Sequence, residues 1–167
     1  MNTLAPFKVV IVGDDKVGKT TFIHRLNTGE FLHKYEPTLG VEVTPLTFQT
    51  NRGRVMMNVW DCSGQEEYWI NAQAVIVMFD NTNPLSYEHA REWIAKVKNT
   101  LGNNVNIVLV GNKVDRLKRK VKPENIHLHQ EERCSYFDLS AKSNFNFEKP
   151  FLAIVRHVLK DNNVVFW

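Results

Sequence analysis

The residue types best suited to phosphate chemistry lie in "GDDKVGKT", residues 13–20. This segment fits the pattern G-x-x-x-x-G-K-[ST], in which backbone N–H groups wrap around phosphates at the start of a helix. Lys19 would reach the β- and γ-phosphates, and the hydroxyl of Thr20 would coordinate Mg2+. The segment follows the apolar run "FKVVIV" and precedes a helical pattern, which distinguishes it from an ordinary glycine turn. The predicted phosphate-binding residues are Gly13, Asp14, Asp15, Lys16, Val17, Gly18, Lys19, Thr20 and Thr21.

A second motif, "DCSG" at residues 61–64, would hold the metal and sense the terminal phosphate. Asp61 is placed to bind Mg2+, directly or through water. Gly64 can turn its N–H toward a γ-phosphate because glycine tolerates the backbone angles that this needs. On its own the motif would be a turn at the end of a strand, so its meaning depends on the other motifs.

Two further motifs would recognise the base. In "NKVD", which comprises Asn112, Lys113, Val114 and Asp115, the carboxylate would accept two N–H bonds from the Watson–Crick edge of guanine. Adenine offers no such pair of donors, and an unpaired buried carboxylate would cost about 1–3 kcal/mol or more. The stem of the lysine can cover the base plane. In "SAK", which comprises Ser140, Ala141 and Lys142, the alanine N–H would reach the guanine carbonyl. The motifs together predict GTP or GDP as ligand, with Mg2+.

Strands and helices alternate along the chain, which predicts an α/β fold with a mainly parallel sheet and helices on both faces. Ligands bind such sheets at the carboxyl ends of the strands, where these motifs lie. Pro45 lies inside the second strand, which places that strand at an edge, paired antiparallel through the "NRG" turn. The predicted strands are 7–12, 41–50, 54–60, 74–80, 106–113 and a short strand within 133–142, and the predicted helices are 19–27, 84–102 and 147–160.

Length and composition indicate one domain over residues 1–167, with 43% hydrophobic and 23% charged residues. The net charge of +3 is too small to predict nucleic-acid binding, and the basic run at residues 113–122 is typical of a solvated loop. Two cysteines indicate reduced thiols in an intracellular protein. We find no signal peptide, no apolar run of about 20 residues, no glycine after Met1 and no C-terminal cysteine for prenylation. We therefore expect a monomer with no membrane or nucleic-acid partner.

Taken together, the motifs resemble those of the small Ras-like GTPases, and within them the Ran branch, over nearly the whole chain. The "TLGVEV" and "NFEKPF" stretches separate the Ran branch from its vesicle-traffic and growth-signalling relatives. The segments similar to that branch are "TGEF" (28–31), "KY..TLGVEV.PL.F.TNRG" (34–53), "NVWD..GQE" (58–66), "GNKVD" (111–115) and "SAKSN.NFEKPF" (140–151).

The resemblance implies a three-layer P-loop GTPase fold with a six-stranded sheet, and it implies roles for matching residues. Phe31 would pack against the guanine, and Thr38 would report the γ-phosphate through Mg2+. Tyr35 would help to shape the hydrolytic site, and Gln65 would orient the attacking water. The implied catalytic residues are Gln65, Lys19, Tyr35 and Thr38, and the implied metal ligands are Thr20, Thr38 and Asp61.

As a Ran-type protein, the chain would be a GTP-binding switch that slowly hydrolyses GTP and acts in nucleocytoplasmic transport. Its expected location is the nucleus and the cytoplasm. Its expected partners are guanine nucleotide, transport receptors, an exchange factor and a GTPase-activating protein.

The chain departs from the Ran pattern in four places. Asp15 and Lys16 replace glycines, and we expect Asp15 to weaken hydrolysis unless its side chain points to solvent, paired with Lys16. Residues 62–73 are about seven fewer than the Ran pattern has there, so either the connection is naturally short or residues are missing from the sequence. The segment "HQEER" (129–133) replaces a basic patch, which would disfavour acidic partners. The acidic C-terminal tail is absent, through truncation or by nature.

Two alternatives remain open. A hydrolysis-impaired mimic that sequesters transport factors would agree with Asp15 and the short connection, but an intact set of Gln65, Tyr35 and Thr38 argues against it. A P-loop ATPase or small-molecule kinase is disfavoured by Asp115.

Overall fold

A computed structural model describes residues 6–28, 40–62, 64–113, 119–140 and 146–167. The strands in these ranges are β1 (Phe7–Val12), β2 (Glu42–Thr50), β3 (Gly53–Asp61), β4 (Ala74–Asp80), β5 (Asn106–Asn112) and β6 (Ser135–Asp138). The helices are α1 (Lys19–Thr28), α2 (Pro84–Leu101), α3 (Leu128–Glu131) and α4 (Lys149–Leu159). The strands form one sheet in the order β2-β3-β1-β4-β5-β6.

The sheet confirms the predicted mixture of strand directions. The β2–β3 pair is antiparallel, and every other neighbouring pair is parallel. Pro45 lies in β2 opposite Asn58, at the edge of the sheet as predicted. Proline has no N–H to donate, so it is tolerated where only one side of the strand has a partner.

Two apolar layers cover the two faces of the sheet. Alternate residues of β1 divide between them, with Val9 and Ile11 on one face and Val10 and Val12 on the other. The first face packs against α1 and α4, for example through Phe151. The second face packs against α2 and α3, which gives the predicted three layers.

The helix ends follow local sequence signals. The side chain of Asn83 accepts a hydrogen bond from the Leu85 N–H at the start of α2, and the N–H of Gly102 donates to the Lys98 carbonyl at its end. Pro150 lies in the first turn of α4, as predicted. We did not predict α3 or the 3-10 turn Pro123–Asn125. No helix in the described ranges is both long and apolar enough to span a membrane.

The connection from β3 to β4 spans residues 62–73, and its only described helical element is the 3-10 turn Glu66–Trp69. A crossover of this length leaves little room for a helix. Lys8 at the start of β1 holds the connection in place. Its ammonium donates to the Ile70 carbonyl at 2.7 Å, and its backbone carbonyl accepts from the Gln73 N–H at 2.8 Å.

Candidate functional site

The phosphate-binding loop lies between β1 and α1 and is closed on itself by Lys19. The Lys19 ammonium donates to the carbonyl oxygens of Gly13 and Asp14, each at 2.7 Å. Burial lowers the pKa of Lys19, and the carboxylates of Asp61, Asp15 and Asp14 oppose that shift. A half-buried cation held against the backbone of this loop is suited to bind phosphate.

Asn112, at the end of β5, is the first residue of the base-recognition motif, and its side chain connects that motif to this loop by hydrogen bonds. Its side-chain N–H donates to the Val17 carbonyl at 3.0 Å, and its side-chain oxygen accepts from the Lys113 N–H at 2.8 Å. Gly18 is required at this contact because an added Cβ would lie 2.3 Å from the Asn112 side-chain nitrogen. Its φ of +107° also favours glycine. The second glycine of the motif therefore permits the approach of β5 to the loop.

Lys113 adds a second connection between the same two motifs. Its ammonium donates to the Lys16 carbonyl at 2.8 Å and pairs with Asp80 at 2.7 Å. Asp80 closes β4 and also accepts bonds from the N–H and hydroxyl of Thr82. We did not predict a role for Asp80, although a carboxylate directly after a buried strand was a signal that could have indicated one. Its role is to fix the Lys113 stem, which we predicted to cover the base.

Thr20 and Asp61 come together as the predicted metal ligands. The Thr20 hydroxyl donates to the Asp61 carboxylate at 2.7 Å, at the point where α1 begins and β3 ends. Hydroxyl and carboxylate oxygens are ligands that Mg2+ accepts, so these residues fit that metal. In the described part of the chain, no group of three His, Cys, Asp or Glu side chains could hold a metal.

The predicted sensor residues, Gly64 and Gln65, follow Asp61 within four residues of the chain. Gly64 has a φ of +79°, and Gln65 precedes the 3-10 turn, with its N–H donating to the Cys62 carbonyl at 2.9 Å. Gln65 is half-buried. The short connection therefore begins with the geometry of a compact turn, and Gln65 lies where that turn starts.

Of the other predicted site residues, Asp15 and Lys16 are exposed, whereas Ser140 is fully buried directly after Leu139. Lys16 has a φ of +69°, which is a conformation that favours the glycine of the Ran pattern. Thr21 lies in the first turn of α1. The predictions for Phe31, Tyr35, Thr38, Asp115, Ala141 and Lys142 lie outside the described residues.

Sequence reasoning also missed two residues of α2 that contact the phosphate-binding loop. His89 and Trp93 both bond to the carboxylate of Asp14. Their spacing of four residues places them on one face of a helix, but that spacing does not indicate which loop they would contact.

Comparison with known families agrees with this geometry. A model of the Ras family matches residues 8–160. Ras family small GTPases bind guanine nucleotide with Mg2+ and hydrolyse GTP. The match includes the loop closed by Lys19, the Thr20–Asp61 pair and the Asn112 contact. The chain therefore belongs to the Ras family of small GTPases, as a GTP-binding switch.

Proposed function

We propose that the chain is a Ran-like switch that binds GTP, hydrolyses it slowly to GDP, and acts as a monomer in transport between nucleus and cytoplasm. The observation that carries the nucleotide-binding part is the network in which Asn112 and Lys113 bond to the carbonyls of Val17 and Lys16. The Ran part rests on the sequence similarity in residues 34–53 and 140–151.

The described residues divide the chemistry among them. Lys19 would offset the charge that develops on the β- and γ-phosphates, and Gln65 would orient the attacking water. Thr20 and Asp61 would hold Mg2+, which neutralises phosphate charge when bound. Asp115 and Ala141 would select guanine, with Lys113 held against the base by Asp80. Thr38 and Tyr35 would complete the hydrolytic site.

The position of Asp15 is the reason to propose that hydrolysis is slow. Its side chain is exposed, yet its charge acts on Lys19, so the carboxylate lies within electrostatic reach of the phosphate-binding cation. A negative charge near the γ-phosphate would oppose the charge carried by the transition state. We therefore propose that Asp15 lowers the hydrolysis rate and leaves the base-recognition contacts unchanged.

The surface for partners is expected to differ from that of other Ran-type switches. The connection after Gln65 offers one 3-10 turn, on which Tyr68 is 39% and Ile70, just after it, 59% exposed. In the segment at residues 129–133, Glu131 pairs with Arg91 and Glu132 pairs with Lys98, each at 2.6 Å. These pairs balance the glutamate charges, so the segment supplies neither the basic patch of the Ran pattern nor a free acidic one.

The alternative is a hydrolysis-impaired mimic that binds transport factors without cycling. The short connection and the charge that Asp15 places near Lys19 favour it, because a sequestering protein needs the loaded state more than turnover. Both functions predict guanine nucleotide binding, and they differ in the stimulated rate of hydrolysis.

Single-turnover hydrolysis of GTP, alone and with the Ran GTPase-activating protein, separates the two. The Ran-like switch predicts stimulation by the activating protein, and the mimic predicts none. Asp15→Gly should raise the rate, and the isosteric Asp15→Asn should give most of the same increase if charge is the main cause. Equal rates for all three proteins would refute the role of Asp15. Tight binding of ATP would refute the guanine assignment.

A further inference from the structure

Helix α2 holds both oxygens of the Asp14 carboxylate. His89 Nδ1 lies 2.5 Å from Asp14 Oδ2, and Trp93 Nε1 donates to Asp14 Oδ1 at 2.9 Å. The Asp14 side chain is 25% exposed, and that of His89 is 36% exposed. These contacts direct a carboxylate of the phosphate-binding loop toward the helix.

The same tryptophan also contacts the sensor segment. A Cβ added to Gly64 would lie 3.3 Å from Trp93 Cη2, so the ring edge lies close to the glycine backbone. Gly64 has a φ of +79°, a conformation that glycine enters and leaves without the cost that other residues meet. Trp93 therefore lies between the loop that binds phosphate and the glycine that would sense it.

The Asp14 backbone explains why this contact matters for nucleotide. Its carbonyl accepts a bond from the Lys19 ammonium at 2.7 Å. Fixing the Asp14 side chain therefore fixes the carbonyl that orients Lys19. It also keeps a negative charge paired near a site intended for a polyanion, where an unpaired carboxylate would repel the phosphates.

We propose that His89 and Trp93 are positioning residues that hold the nucleotide site through Asp14 and transmit the state of Gly64 to α2. The proposal rests on the proposed nucleotide switch and deepens it. His89 would act by donating to and neutralising Asp14, and Trp93 by its N–H and by the contact of its ring with Gly64. Neither residue touches the reacting atoms.

Proton binding by His89 gives the pair a pH dependence. The hydrogen bond to Asp14 is the largest cause that raises the pKa of His89, slight burial opposes it, and the charges of Asp14, Glu92 and Glu88 add to the rise. A raised pKa means that the ion pair is fully formed below the ordinary histidine value of about 6.5 and is lost as pH rises through the raised value. We therefore expect nucleotide to be held more tightly at low pH.

Dissociation of fluorescent GDP from the full chain at pH 6 and pH 8.5 tests the role of His89. The His89→Asn variant keeps a hydrogen-bond donor at this position but cannot be protonated. Its rate of GDP dissociation, divided by the wild-type rate, should therefore be about 3 at pH 6 and about 1 at pH 8.5, as for a partly exposed pair. This ratio cancels titration of the nucleotide. His89→Phe, which has no donor, should release GDP faster at both pH values. The matched control His157→Asn changes an exposed histidine of α4 and should give a ratio of 1 throughout.

Intrinsic fluorescence tests the role of Trp93. Replacing GDP by a non-hydrolysable GTP analogue should change the tryptophan emission of the wild-type protein. The control Trp167→Phe, which removes a tryptophan that is 86% exposed, should show the same change. Trp93→Phe keeps an aromatic ring but removes the indole N–H, and it should lose most of that change and release GDP about 3-fold faster. A full emission change in Trp93→Phe, or a His89→Asn ratio of 1 at both pH values, would overturn the proposal. Both readouts need only binding, so they remain decisive if hydrolysis is absent, whereas failure to bind GDP at all would refute the proposed function itself.

Discussion

Substitution of Trp69 tests whether the short connection between β3 and β4 is the native structure. Trp69 is fully buried at the end of the 3-10 turn and belongs to the apolar cluster that β1, β4 and α2 form. Its ring centroid lies 6.4 Å from that of Trp93. We expect Trp69→Ala to destabilise the protein strongly, because it removes the side chain that fills the space beside α2.

The magnitude follows from the size of the side chain and from its N–H. Burying a tryptophan removes roughly 150–250 Å² from water, and truncation of a core tryptophan to alanine costs about 3–5 kcal/mol. In the described part of the chain, the Trp69 N–H has no hydrogen-bond partner, and such a group costs about 1–3 kcal/mol. Trp69→Ala removes that penalty too, so we expect a net loss of about 3 kcal/mol and a Tm lower by about 6–12 °C. Trp69→Phe keeps most of the ring and also removes the penalty, so its net change should stay below about 1.5 kcal/mol.

Urea and thermal unfolding, followed by far-UV circular dichroism with nucleotide at a fixed concentration, give both values. The fixed concentration matters because bound nucleotide adds to the apparent stability. Trp167→Ala is the matched control, and it should leave Tm within about 2 °C because its side chain is 86% exposed. A loss below about 1 kcal/mol for Trp69→Ala would mean that Trp69 is not a core residue and that the connection does not follow the described path.

Three further predictions follow from the site and its surroundings. Gly18→Ala should weaken GDP binding at least about tenfold in equilibrium titration, because its Cβ would lie 2.3 Å from the Asn112 side chain and force the loop away from β5. Asp61→Asn should raise the Mg2+ concentration needed for half-maximal nucleotide retention by about tenfold or more, while nucleotide binding without Mg2+ stays unchanged. Burial raises the pKa of Cys62 and Cys134 to about 11, so both thiols should react with iodoacetamide at pH 7 about 100-fold more slowly than glutathione, and at the rate of free thiols in urea. Rapid modification of the native protein would contradict the raised pKa of both thiols.

The elements that sequence reasoning predicted well are those with a strong local pattern. All seven residues of β4 are buried, and the six before Asp80 form a continuous apolar run. The limits of this strand, 74–80, were predicted correctly. Helix α2 has a proline and a glycine at its two ends, and its predicted limits differ by one residue. The short helix α3 has four residues and no comparable pattern, so it was missed.

The contacts of the site likewise divide into those that a local sequence pattern indicates and those that it does not. The Thr20–Asp61 and Asn112–Val17 contacts were predictable because each motif follows its own strand and the strand ends meet at one edge of the sheet. The contacts of His89 with Asp14 depend on how far α2 lies from that edge, which is set by packing across 75 residues of sequence and by no local signal. Such partners become visible only when the fold is known.

The short connection and the contacts of α2 have one physical cause. A strand crossover of residues 62–73 has no room for a helix of its own, so the sheet face beside β1 must be covered by other side chains. Trp69 covers it from the connection and Trp93 lies beside it from α2, with their rings 52° apart. The sensor glycine, Gly64, then packs on the ring of Trp93 and not on a helix that follows it. We therefore expect the state of the nucleotide to be transmitted to α2, whose outer surface carries the paired Arg91 and Lys98, more than to the shortened segment.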